Sequence, residues 1–439
     1  MDTYFSETAN QNAPISFFAQ LLKYLPQAWI FDEDKRLSPR SNARQFTFGD
    51  QLVCLLFCHL AGCDSLREIE DGLISAVGKL QHASAKAMER TTLAYANEHR
   101  SYEIAKSLYF RLLQTYAQLF KGHLDQDYLH PVYALDSTTI SVCLSRFQWA
   151  RYRRAKGGFK LHTVLGEDLQ LPVVMNMTHG KRADVKEAKA AIEALGSKDI
   201  TVVMDRGYND YKLFMWLTQR GTKFVTRIKD NAKTTRLKDD IIEEKDNYGD
   251  YGFQFTQEQA RKVCGNTRFR LVQWYDPENN RWFDFLSNDF DLMATQIADL
   301  YRKRWQIELF FKKLKQNLKI KSFIGTSENA VMTQIWTAAV ATLLIEILRR
   351  VARYRWSFSR LLKFVGLNLL TYKKLDVWIN RPDFRIQKQS RLKNSNKWSL
   401  ILGKNQSEGL LLEATLASPV FIEKDSQKLT YAYFLFGRH

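Results

Sequence analysis

The sequence predicts a mixed α/β core entered through an all-α N-terminal region, interrupted by a β-rich insertion and followed by a mixed, basic C-terminal region. Three observations predict it. Residues 15 to 121 carry helical periodicity and two helix-start signals. From Tyr133, short β-branched and aromatic runs alternate with helical segments in the order β-β-β-α-β-(α)-β. Residues 231 to 289 break that order with aromatic runs separated by turns, before helical periodicity returns.

Residues 15 to 30 (ISFFAQLLKYLPQAWI) space their apolar side chains three and four apart, which predicts one amphipathic helix. A basic loop, DKRLSPRSNARQ, follows. Thr47 stands three residues before Asp50, and Ser65 three before Glu68. Each hydroxyl and acid can take up backbone N–H groups that a helix start leaves unpaired. Two helices are therefore expected over 47 to 80, joined at Gly62. This spacing fits a helix-turn-helix and a plain helical hairpin equally. Residues 85 to 121 continue as helices. The runs YALDSTTISV, FKLHTVLG and LPVVMNMTHG read as strands, and DVKEAKAAIEALG as a helix ended by Gly196. DITVVMD and KFVTRIK read as two more strands. In the insertion, YGDYGFQF, FRLVQWYD and RWFDFLS are strand-like. Residues 291 to 320 and 329 to 352 are expected as long helices. Residues 355 to 406 are basic, and apolar stretches in 407 to 439 suggest order.

The 439 residues hold 65 Lys and Arg against 47 Asp and Glu, a formal charge of +18. That surplus points to a polyanion, nucleic acid before an anionic membrane surface. The longest apolar runs, Leu52 to Cys63 and Ile335 to Ile345, fall short of the ~20 residues of a membrane-spanning helix. The N-terminus, MDTYFSETANQNAPI, lacks the basic and apolar segments of a leader. Five cysteines without paired spacing point to a reducing, cytoplasmic setting. Cys54, Cys58, His59 and Cys63 fall in an apolar helical run, where core packing is the expected role and a zinc site the alternative.

Three acids stand where an unpaired charge is costly. Asp136 lies inside the apolar strand YALDSTTI, Asp205 ends ITVVMD, and Glu308 lies among Trp305, Ile307, Leu309, Phe310 and Phe311. Each alone is compatible with a structural ion pair. Together, with two on strands of one α/β core, they have the oxygen chemistry of a divalent-metal site. On a helix turning about 100° per residue, Tyr301, Arg304, Glu308 and Lys315 fall near 0°, −60°, −20° and −40°, one stripe about 60° wide. A solvated helix face with a Glu308–Lys312 pair has the same pattern. A carboxylate, two cations and a phenol in one line also suit a metal beside a phosphate chain.

The string YRKRWQIELFFKKLK spells Y-x2-R-x3-E-x6-K and resembles the YREK signature of the insertion sequence 4 family of DDE transposases. ALDSTTI resembles that family's first-aspartate strand, and MDRGY its second-aspartate block. The spacings agree: 69 residues separate Asp136 from Asp205, and 103 separate Asp205 from Glu308, room for the β-rich insertion. Phe285 to Asn288 resembles the short strand ending in Asn, and residues 178 to 184 (THGKRAD) resemble the turn after the third strand. The N-terminal 75 residues resemble a helical module attached to such transposases.

The resemblance implies an α/β ribonuclease H-like catalytic core. The chain then divides into a helical DNA-binding domain (1–80), a helical connector (81–130), the first part of the core (131–230), the insertion (231–289), the second part of the core (290–354) and the basic C-terminal region (355–439). The implied enzyme binds insertion-sequence ends and carries out Mg2+-dependent DNA cleavage and strand transfer, that is, cut-and-paste transposition. Asp136, Asp205 and Glu308 would be its catalytic residues and the ligands of two Mg2+ ions, with Mn2+ able to substitute. Its partners would be double-stranded DNA, at terminal inverted repeats and at the target, and a second copy of the chain in the DNA complex, with no membrane. Its place would be the bacterial cytoplasm, at the nucleoid. Two competing readings are a DNA-binding derivative that no longer cuts and a ribonuclease H-like nuclease that does not join strands.

Around the acids, Tyr301, Arg304 and Lys315 are expected on DNA. Lys160 and His162 alternate along one strand and so share a face, either the active-site edge or an exposed side. Arg206 and Tyr208 flank the Asp205 turn. Trp305 either packs helix to sheet or stacks on an unpaired base, a contact worth about 1–3 kcal/mol. Arg227 leaves a similar choice. The basic, aromatic-interleaved run RFQWARYRRAKGGFK (146 to 160) is expected against DNA backbone.

Overall fold

The computed structural model describes residues 15–37, 46–76, 88–120, 128–153, 156–167, 170–229, 234–278, 280–317 and 322–380. Its first part is helical: α1 (Phe17–Leu22), α2 (Gln27–Leu37), α3 (Phe48–Ala61), α4 (Leu66–Ser75), α5 (Arg90–His99), α6 (Glu103–Thr115) and α7 (Ala117–Phe120). The single helix expected over 15 to 30 is two. Pro26 has no N–H to continue α1, and its carbonyl instead accepts Ile30 N–H at 3.1 Å in the first turn of α2. Both expected helix starts form. Thr47 Oγ1 accepts from Asp50 N (3.1 Å) while Asp50 Oδ2 accepts from Thr47 N (2.9 Å), and Ser65 Oγ accepts from Glu68 N (3.2 Å). At the end of α3, Gly62 takes φ 77°, the left-handed region that favours glycine. All of α3 except Asp50 and Ala61 is buried. Cys54, Cys58 and His59 are thus core residues, with His59 Nε2 3.0 Å from Thr337 Oγ1.

One ten-stranded sheet follows. Its strands are β1 (Val132–Val142), β2 (Arg151–Arg153), β3 (Lys156–Gly166), β4 (Leu171–His179), β5 (Thr201–Met204), β6 (Lys223–Arg227), β7 (Thr234–Lys245), β8 (Tyr248–Phe255), β9 (Phe269–Asp276) and β10 (Arg281–Ser287). They lie in the order β2-β3-β1-β5-β6-β10-β9-β8-β7, and β4 also pairs with β3. The β1–β5 and β5–β6 pairs are parallel; the others are antiparallel. Parallel neighbours need crossovers. Helix α8 (Asp184–Glu193) leads into β5, and α9 (Tyr211–Arg220) links β5 to β6.

The β-rich insertion does not form a sheet of its own. Phe285 of β10 stands opposite Arg227 of β6, and Ser287 opposite Val225, so β7 to β10 prolong the core sheet. Helix α10 (Glu258–Cys264) lies between β8 and β9 in the chain. Arg270, 2% exposed, fastens the insertion. It donates to Asp250 (2.9 and 2.6 Å) and to the carbonyls of Asp289 (2.8 Å) and Leu292 (2.6 Å), just before α11 (Ala294–Lys303).

The long helix expected over 291 to 320 is broken. A turn at Arg304 separates α11 from α12 (Trp305–Lys312), and Lys313–Asn317 continues as a π-helical turn. Helix α13 (Glu328–Val351) matches the second long helix expected. It is long and apolar enough to cross a membrane by length and composition, yet every residue from Ala330 to Leu348 is buried. It packs against α3, α5, α6 and α14 (Phe358–Asn368). Helix α15 (Leu375–Asn380) ends the described chain. The carbonyls of Thr371 and Leu369 accept the N–H groups of Phe17 (2.7 Å) and Phe18 (3.0 Å), and Phe17 meets Trp378 edge-on at 5.3 Å. The start of the basic C-terminal region therefore folds onto the N-terminal helices. The apolar stretches of 407 to 439 lie outside the described residues.

Candidate active site

The parallel ladder sets Leu135 opposite Met204. The next residues, Asp136 within β1 and Asp205 just past the end of β5, therefore stand side by side, at a strand spacing of roughly 4.8 Å. Asp205 is held by its own turn. Its carboxylate accepts the Gly207 N–H and its carbonyl accepts Thr226 Oγ1 (3.1 Å). A β-carbon at position 207 would meet Asp205 Oδ1 at 2.7 Å, so any other residue there would displace the carboxylate. Asn209 ties the same turn to β6, donating to the Arg227 carbonyl (3.0 Å) and accepting from Lys229 N (3.2 Å).

Alternate residues of a strand face opposite sides of the sheet. Asp136 and Thr138 share the side of Ala134 and Ile140, which pack with Ile307 and Phe310 of α12. Here the helix stripe meets the strand. Arg304 Nη1 lies 3.2 Å from Asp136 Oδ2, and Nη2 lies 2.7 Å from Glu308 Oε1. Lys315 Nζ donates to Thr138 Oγ1 and to the Thr139 carbonyl (2.9 Å). The Arg304 guanidinium sits over the Tyr301 ring (5.5 Å), which in turn packs on Phe285 (5.0 Å). Arg304 and Lys315 thus meet the middle of β1, Glu308 joins them through Arg304, and Tyr301 packs behind Arg304, despite the break at Arg304.

Burial pushes the Asp136 carboxyl up to about 7; Arg304 opposes the rise, and the charges of Asp205 and Glu308 add to it. Asp136 thus feels the charge of both other acids. The donor set fits a hard divalent cation, being all carboxylate oxygen. Among the described residues, no three His, Cys, Asp or Glu side chains yet surround one point. The one cation seen between Asp136 and Glu308 is the Arg304 guanidinium. Arg304→Met is therefore expected to lower stability by roughly 1.5–3 kcal/mol in metal-free buffer, measured by denaturant titration, because two carboxylates lose a shared charged donor. A loss no greater than that from an exposed arginine would mean the bridge contributes nothing.

Lys160 and His162 are not brought to this cluster. In the β1–β3 ladder His162 stands opposite Ser137 and Lys160 opposite Thr139, so both face the side away from Asp136. There Asp184, the first residue of α8, collects them. It accepts from Lys160 Nζ on both oxygens (3.0 Å each) and from Ser137 Oγ (2.6 Å), with His162 Nδ1 at 3.8 Å. His162 is buried, its Nε2 lies 2.8 Å from Thr178 Oγ1, and burial lowers its pKa. Tyr208 is buried in the apolar core that holds Leu135 and Ala188. Arg206 is exposed beside Asp205, and Trp305 is half-buried at the start of α12. Arg227 lies over the Phe283 ring (5.0 Å). In the run 146 to 160, Phe147 and Phe159 are core residues, Trp149 donates to the Thr326 carbonyl (2.7 Å), and Arg151 and Lys156 are exposed.

Asp184, Thr226 and Asn209 escaped the sequence reading. An acid opening a helix already has a reason to be there, since it complements the helix N-terminus. Asn209 in GYND reads as ordinary turn composition.

Residues 127–344 match the transposase DDE domain family, and residues 14–86 match a domain of unknown function (DUF4372). The chain is similar to a Geobacillus stearothermophilus protein named as a transposase for insertion sequence element IS5377, 26% identical over 353 residues, 79% of this chain and 88% of that one. It is similar to a Sinorhizobium fredii protein named as transposase y4zB, 31% identical over 227 residues, 50% of this chain and 61% of that one. A Synechocystis protein named as a transposase for insertion sequence element IS4SA is 29% identical over 273 residues, 60% of this chain and 72% of that one. The matched domain begins just before β1, ends within α13 and takes in Asp136, Asp205 and Glu308; the chain belongs to the DDE transposases.

Proposed function

We propose that Asp136, Asp205 and Glu308 hold two Mg2+ ions with which this transposase cuts the ends of an insertion sequence and joins them to target DNA. The reading rests above all on the β1–β5 register, which sets Asp136 beside Asp205, with Glu308 joined to Asp136 through Arg304. The strand order β4-β3-β1-β5-β6, with β1, β5 and β6 parallel and β3 antiparallel to β1, supports a ribonuclease H-like core. When bound, the ions supply Lewis acidity for in-line displacement at phosphorus.

The chain's own residues hold and orient. The Ser137 N–H fixes Asp136 Oδ1 (2.7 Å), and the Gly207 N–H fixes Asp205 Oδ1. Arg304 is placed to pass from its two carboxylates to a DNA phosphate, which a guanidinium can clamp with two parallel bonds. Lys315, held on β1 two to three residues beyond Asp136, lies where the backbone next to the cut would run. Tyr301 backs Arg304 from below. Incubating the protein with its own element-end DNA, a target plasmid and Mg2+ tests this reading, and cut ends joined to the plasmid are expected. Cut ends without joined product would leave a nuclease; bound but intact ends would leave a DNA-binding derivative.

A further inference from the structure

We propose that Glu346 is a positioning residue of the active site, acting through Lys313 on the π turn that follows the Glu308 helix; this rests on reading Asp136, Asp205 and Glu308 as the cutting site. Glu346 is the only acid among the buried residues of α13 and is 4% exposed. A carboxylate there is costly unless paired, and an apolar side chain would stabilise the helix at least as well. Its two oxygens are shared out. Lys313 Nζ lies 2.7 Å from Oε1, and Arg349 Nε lies 2.6 Å from Oε2. Burial favours the neutral acid, but Lys313 and Arg349 outweigh it and hold the carboxyl below its usual range.

Lys313 opens the π turn Lys313–Asn317. Such turns leave the α-helical hydrogen-bond ladder and persist where the surroundings hold them. Three successive residues hold this one. Lys313 binds Glu346 of α13, Leu314 is fully buried, and Lys315 binds Thr138 and Thr139 of β1. The turn therefore ties the end of the Glu308 helix to α13 on one side and to the Asp136 strand on the other. Arg304 makes the only other charged link between that helix and β1 seen among the described residues, and it bonds the two acids themselves. Glu346 is thus the fixed point that sets how α12 seats against β1, and with it the separation of Glu308 from Asp136.

Lys313→Met and Glu346→Gln test this in the full chain. Lys313→Met leaves Glu346 paired with Arg349, so folding is retained. Each variant is expected to slow Mg2+-supported cutting per folded molecule about tenfold, since small misplacements of reacting groups cost that much or more. Affinity for element-end DNA should stay the same, and the double variant should cut no worse than the slower single one. Lys313→Arg should restore cutting. Before DNA or metal is added, amide hydrogen exchange across residues 305–315 should be faster in both variants than in wild type. Unchanged cutting and exchange in Lys313→Met, beside an active wild type, would overturn the positioning role alone. Loss in Glu346→Gln without loss in Lys313→Met would overturn it too, by assigning the effect to Arg349. A wild-type protein that does not cut would remove the reading of the site, and the positioning role with it.

Discussion

Asp136→Asn, Asp205→Asn and Glu308→Gln are each expected to abolish DNA cutting while the protein stays folded and still binds element ends. Each change removes an anionic oxygen donor from the acids gathered beside β1 and β5. The loss of several kcal/mol of transition-state stabilisation corresponds to roughly a thousandfold or more in rate. DNA binding should not suffer, because each change removes a negative charge and with it a source of repulsion toward phosphates. Asp136→Asn carries a second expectation. Burial and the neighbouring acids push the wild-type carboxyl up to about 7, above its value in the unfolded chain. The folded state thus favours the protonated acid, and its stabilising contribution is lost as pH rises from about 4, the unfolded value, towards 7. At pH 8 without metal, Asp136→Asn should melt no lower than wild type. A variant cutting at near wild-type rate would remove that residue from the ligand set.

Deleting residues 1–80 is expected to give aggregated protein and not an enzyme that has merely lost recognition of its ends. Helix α3 alone buries Phe48, Leu52, Val53, Leu55, Leu56, Phe57 and Leu60. At about 1.5–3 kcal/mol for each large apolar side chain, the exposure of the α13 residues that they cover is comparable with the ~5–15 kcal/mol that holds a whole domain folded. Helix α1 would also go, baring Trp378 and the backbone carbonyls of Leu369 and Thr371. Expression of 81–439, followed by size-exclusion chromatography and circular dichroism, checks this. A monodisperse, helical fragment would show that the N-terminal helices are dispensable to the fold.

Local rules made much of this molecule legible. Thr47 with Asp50 marks a helix start because the chemistry lies within four residues. Asp136 stands out because a charge inside an apolar strand has few explanations. The stripe from Tyr301 to Lys315 could be read from periodicity alone. Other features depend on residues far apart in the chain. Alternation says that Lys160 and His162 share a face, but only the pairing of Ser137 with His162 decides which face. Nothing near Arg304 or Lys313, neither proline nor glycine, marks the break and the π turn; their partners lie far off in the chain, on β1 and α13. The joining of β10 to β6 is a long-range choice that leaves no trace in either strand. Pro26 is different: the break was written locally, and the surrounding apolar periodicity masked it.

Because the inserted strands share one ladder with the acid-bearing ones, the far rim is where strands can be lost without breaking the ladder. A shorter relative could shed β7, or trim the bends between β7 and β8 or between β9 and β10. It could not shed β10, whose loss would leave β6 as a bare adhesive margin open to pairing with other chains. The same continuity makes the insertion a lever without a joint. Backbone hydrogen bonds run from strand to strand all the way from β3 to β7, and Arg270 locks the inserted strands to the chain entering α11. Any long, stiff ligand laid across both the insertion and the acids would have to do the flexing itself.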